Sequence, residues 1–159
     1  MASNNLEEWL EFLYKPGIDT YAKSNFLDAI EQLALHYPDR RKETINWFND
    51  LIEFYLNASL DQNVIDSDLI AFVICSVMEI DADELLPKIE KLFDKGLVST
   101  GISGSWIEVK NAFSRSRNFN SKKNILSIFD RYENITSTCL LYTSPSPRDR
   151  TRSRMPSSA

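Results

Sequence analysis

The body of this sequence holds one histidine and one cysteine, His36 and Cys75, the residue types most often used as catalytic base, nucleophile or zinc ligand, and each stands alone. A Ser-His-Asp or Cys-His device would need His36 as its base. That residue sits beside Tyr37-Pro38, where a helix must stop, and there an imidazolium complements the helix C-terminus. The only other cysteine, Cys139, opens the final segment, so the body of the chain is short of ligands for a His/Cys zinc site.

Oxygen-based and backbone-based sites fare no better. Asp61, Asn63, Asp66 and Asp68 have the alternation of a calcium loop, but its glycine position holds Asp66 and its closing glutamate position holds Phe72. They read as a solvated loop that caps the next helix. Gly96, Gly101 and Gly104 lead to Ser105, where amides could cradle a phosphate. Without a preceding strand or a following lysine, these glycines read as turn formers. Asp81, Asp83 and Glu84 crowd a helix start, where negative charge is favoured by the helix dipole. Acid–base catalysis is not needed to explain them.

One segment could offer a binding surface. Arg115, Arg117, Lys122 and Lys123 around Phe119 form the one basic, partly aromatic stretch of the body. It is the candidate interaction surface, although a solvated connector accounts for the same residues.

The elements that must position these groups are helices. Leu6, Trp9, Leu10, Leu13 and Tyr14 recur at helical spacing until Pro16-Gly17 stops the run. Tyr21, Phe26, Ala29, Ile30, Leu33, Ala34 and Tyr37 make a second stripe, opened by Asp19 or Thr20. Ile45, Phe48, Leu51, Ile52, Tyr55 and Leu56 make a third, with Glu43, Asn46, Asp50 and Glu53 on other faces. The short Tyr37 to Arg40 link predicts that the second and third helices pack antiparallel. Ser67 is expected to cap a fourth helix, Leu69 to Met78, apolar nearly all round and therefore central, with Phe72 and Ile74 in it. A fifth opens at Asp81 and Glu84 and stops at Gly96. Ser105 to Glu108 is a capping box for a sixth ending near Phe113, and a last helix is expected from Ser121 to Tyr132. The fold class is all-α, built of antiparallel helical hairpins.

The chain of 159 residues carries a net charge of −5, which disfavours non-specific binding to a phosphate backbone. Its N-terminus, Met1 to Glu8, is acidic where a secretory signal would be basic, and its longest apolar run, Leu69 to Val77, is too short to span a bilayer. A cytoplasmic location and no membrane association are expected. The last 21 residues differ in kind: Cys139 to Asp149 is what a common transposase sequencing adaptor encodes in one reading frame, and Ser153 to Ala159 matches that adaptor's distal segment in the same frame. This segment carries +3, so without it the balance is −8. The expected organisation is a helical-repeat fragment over 1–138 and a disordered, non-native tail over 139–159.

Three stretches resemble one family. Tyr21-Ala22 through Ala29-Ile30 with Pro38-Asp39-Arg40-Arg41, then Ile80 to Ile89, then Phe93 to Val98 are similar to the second half of a bacterial helical family known as domain of unknown function 1186. The most specific part is Glu84-Leu85-Leu86-Pro87 with Ile89, Phe93 and Gly96-Leu97-Val98. The resemblance covers about Leu6 to Phe113. It implies a HEAT-like α-solenoid with no assigned activity, supplies no catalytic residue, and implies that helices precede Met1 in the family. On this basis the chain is expected to be a protein–protein interaction module with no catalysis, cofactor or metal of its own. The alternative is a piece of an enzyme or metal-binding protein whose active residues lie elsewhere, with nucleic-acid binding through Arg115 to Lys123 in third place.

Overall fold

The computed structural model describes residues 6–114, 122–124 and 126–142. Among them the secondary structure is helical throughout, with no strand: α1 (Leu6–Tyr14), α2 (Thr20–His36), α3 (Arg41–Asn57), α4 (Ser67–Glu79), α5 (Leu86–Asp94), α6 (Thr100–Ser103), α7 (Trp106–Ser114) and α8 (Ile128–Tyr142). Single 3-10 turns at Pro38–Arg40, Leu60–Gln62 and Asp83–Leu85 connect them. The chain divides into two compact units, the first ending at Lys122.

In the first unit α4 is the hub. It packs against α2, α3, α6 and α7, and its seam with α2 is the most extensive. Leu69, Ile70, Ala71, Val73, Ile74 and Val77 on it are all fully buried, as expected for a helix apolar on most faces. Phe72 departs from that expectation. It is only partly buried at the edge of the core, with its ring 6.0 Å from that of the exposed Tyr21 on α2. α3 contributes Ile45, Trp47, Phe48, Leu51, Ile52 and Tyr55 to the same core. Tyr55 is 1% exposed and its hydroxyl has no hydrogen-bond partner among the described residues.

The helix ends correct several boundaries. Asp66, not Ser67, caps α4: its Oδ1 accepts from the Asp68 and Leu69 amides at 3.0 and 3.1 Å. Asp81 belongs to the end of α4 and not to the start of α5. It takes a left-handed φ of 52°, the Asp81 amide donates to Met78 O, and the Ala82 amide donates to Val77 O. That pairing is a Schellman motif with aspartate where glycine is usual. Gly96 makes the same motif after α5, with φ 67° and the Leu97 amide donating to Leu92 O. Ser105 and Glu108 form the expected capping box, the Ser105 amide donating to Glu108 Oε2 at 2.7 Å.

The second unit contains α8. It starts at Ile128 rather than Ser121, because Ser127 and Asp130 form a second capping box: the Ser127 hydroxyl donates to Asp130 Oδ2 at 2.7 Å and accepts from the Asp130 amide at 3.2 Å. α8 continues through Cys139 to Tyr142, four residues into the segment assigned to adaptor, where no Pro intervenes before Pro145. Residues 143–159 lie outside the described residues.

Candidate functional site

Three helix ends in the first unit are closed by cations reaching from elsewhere in the chain. Lys23 on α2 is 3% exposed and its Nζ donates to Leu13 O and Lys15 O at 2.8 and 2.6 Å, closing α1. Arg41 on α3 donates to Asp81 O at 2.7 Å and Ile80 O at 3.3 Å, closing α4, and pairs with Glu84 at 3.5 Å. Lys95 after α5 donates to Leu56 O at 2.7 Å, closing α3. Each places positive charge on carbonyls that have no partner within their own helix. Burial lowers the Lys23 ammonium below its ordinary value, and Asp66 partly opposes that.

These cations are consumed by structure, which bears on two of the surface hollows. One of about 510 Å³ lies between the Pro16-Gly17 turn and the loop before α4, with Lys23, Thr20, Asp66 and Asp68 in its walls. Two of its charged groups are already engaged: Lys23 by two carbonyls, and Asp66 by the α4 amides and by the Thr20 hydroxyl at 2.5 Å. Another of about 520 Å³, beside Pro38 and Ile45, is bordered by Arg41, which α4 already holds.

The groove between α1 and α3 is different in kind. It encloses about 470 Å³ and is lined by Leu6, Glu7 and Leu10 from α1 and by Glu43, Asn46, Trp47 and Asp50 from α3. The α3 contributors fall at i, i+3, i+4 and i+7, so they form one face of that helix. Trp47 is 5% exposed, and its indole Nε1 donates to Leu6 O at 2.8 Å, tying the floor of the groove to α1. Glu7, Glu43 and Asp50 are exposed and form an acidic rim. Arg40 grips Glu43 through two bonds of 2.8 and 3.0 Å and holds its carboxyl below the usual glutamate range. Glu7 and Asp50 supply the remaining negative charge. The groove therefore offers the half-buried Leu10, backed by the buried Leu6 and Trp47, beneath carboxylates, a combination suited to an amphipathic cationic segment.

The surface expected from the sequence is only partly visible. Arg115, Arg117 and Phe119 lie outside the described residues, while Lys122 and Lys123 are exposed and non-helical. His36 falls in the last turn of α2, and Cys75 sits half-buried on α4 with its thiol pushed up by burial and by Glu79 and Glu31. Among the described residues no group of three or more His, Cys, Asp or Glu is placed to hold a metal ion, and no helix is long and apolar enough to cross a membrane. The sequence places Glu43, Asn46 and Asp50 off the apolar face of their helix and does not mark a groove there. Their i, i+3, i+7 spacing was the available signal.

Comparison of the chain with protein-family models, with curated proteins and with solved structures finds no match.

Proposed function

We propose that this chain is a helical interaction module that holds a basic, amphipathic segment of another protein in the groove between α1 and α3. The reading is supported by that groove's make-up, apolar floor below and the exposed Glu7 and Asp50 above, on a chain of net charge −5. A helical segment laid there would place apolar side chains on Leu10 and lysines or arginines on the rim, the ordinary helix-in-groove mode. Successive hairpins in the manner of HEAT repeats, as the resemblance to domain of unknown function 1186 implies, would make the groove part of a longer concave surface.

The test uses a fluorescein-labelled 15-residue helical peptide of leucine and lysine, titrated with the full chain and followed by anisotropy. Saturable binding that weakens with salt and is lost in Glu7→Lys and Asp50→Lys is expected. Equal binding by those variants and the parent chain would overturn the reading.

A further inference from the structure

The first unit ends in two helices of opposite character. In its main packing contacts α1 lies against α2 and α3, while α7 lies against α4 and α5, so helices of the core stand between them. α1 carries Glu7, Glu8 and Glu11, all exposed, and no cation. α7 turns to solvent the face made by Ile107, Lys110, Asn111 and Ser114, spaced i, i+3, i+4 and i+7, with Ile107 69% exposed. Its one acid, Glu108, is held at its own helix start, accepting from the Ser105 amide and hydroxyl at 2.7 and 2.8 Å. Past Ser114 the sequence adds Arg115 and Arg117. One end therefore holds an acidic groove around a half-buried leucine, and the other a cationic helix face with an isoleucine standing in water.

We infer that copies of this chain join head to tail, the α7 face of one seated in the α1–α3 groove of the next, Ile107 on Leu10 and Lys110 against Glu7 and Asp50. This rests on the reading of the groove as a holder of cationic amphipathic segments, and it names the occupant. The occupant comes from a second copy because α7 is fixed in the core of its own chain: Val109 and Ala112 are 1% and 6% exposed, and no α7 residue lines the groove. Opposite charge on the two surfaces steers the encounter and sets its direction, since groove on groove would bring like charges together. A contact between two different surfaces leaves a groove free at one end and an α7 face free at the other, so assembly grows with concentration unless it closes into a ring.

Analytical ultracentrifugation of the full chain is expected to show an average mass that rises with concentration and returns to the monomer in high salt. Two variants are each expected to stay monomeric where the parent associates. One is Ile107→Asp, at an exposed position in the first turn of α7 where an acid suits the helix dipole; the other joins Glu7→Lys to Asp50→Lys. Mixed in equal amounts they are expected to form a dimer and nothing larger, because the first keeps a working groove and the second a working α7 face. A parent chain that is monomeric at every concentration, or a mixture that stays monomeric, overturns the inference. So does association that Ile107→Asp leaves unchanged, which would assign it to another surface, such as the exposed Ile128, Tyr132 and Ile135 of α8. The leucine–lysine peptide tells the second copy from the groove: a monomeric chain that binds the peptide refutes the second copy alone, and a chain that binds neither refutes the groove as well.

Discussion

The Trp47 indole nitrogen donates to the carbonyl oxygen of Leu6 at 2.8 Å across 41 residues of sequence, and this one buried bond ties the floor of the groove to its first wall. Replacing Trp47 with Phe removes the bond and part of the packing. A loss of about 1–3 kcal/mol is expected. Amide hydrogen exchange locates it: exchange should accelerate in α1 more than in α5. Unchanged protection of α1 would mean that the bond does not hold the helix.

Lys23→Met keeps the length and apolar stem of the side chain but leaves Leu13 O and Lys15 O without their cation. The expected cost is about 1–3 kcal/mol, the penalty for unpairing buried polar groups. Urea denaturation of the two chains measures it. A variant as stable as the parent would show that the carbonyls find water and that the ammonium is incidental.

Asp81 holds a left-handed φ of 52° with an L side chain, while its carbonyl, the part Arg41 binds, is unaffected by the side chain's identity. Asp81→Gly is therefore expected to stabilise the chain by about 0.5–1 kcal/mol, the backbone strain relieved exceeding the added freedom of the unfolded state. A higher melting temperature is the expected reading, and a lower one would place value on the carboxylate itself.

Ile74 is fully buried in α4 and Phe72 is not, although the two are near neighbours in one apolar run. Ile74→Ala is expected to cost about 2–5 kcal/mol by cavity formation, and Phe72→Ala clearly less despite its larger side chain. Calorimetric unfolding ranks the pair. The reverse ranking would mean that Phe72 is the better packed of the two.

The contrast between these two residues shows where the sequence was informative. Apolar periodicity marked α1 to α5 and α7, and the stops at Pro16-Gly17 and Gly96 were legible because proline and glycine act locally. Which apolar residues of α4 are fully buried and which only partly was not legible, since that depends on where α2, α3, α6 and α7 come to lie. The same holds for the helix ends closed by Lys23, Arg41 and Lys95, whose acceptors lie 10, 40 and 39 residues away. Asp81 was assigned to the wrong helix because an acidic residue before Glu84 imitates a helix start, while its left-handed backbone shows only in three dimensions. The groove shares this property. Its α3 face could be read from spacing, but its α1 face could not be joined to it.

The most direct test of the groove is NMR mapping of the leucine–lysine peptide on the ¹⁵N-labelled full chain. Occupation of the groove predicts the largest amide shifts at Glu7, Leu10, Asn46 and Asp50, a displaced Trp47 indole resonance, and small shifts around Thr20 and Asp66 in the neighbouring hollow. Shifts concentrated at Thr20 and Asp66, or spread evenly over the acidic surface, would contradict it.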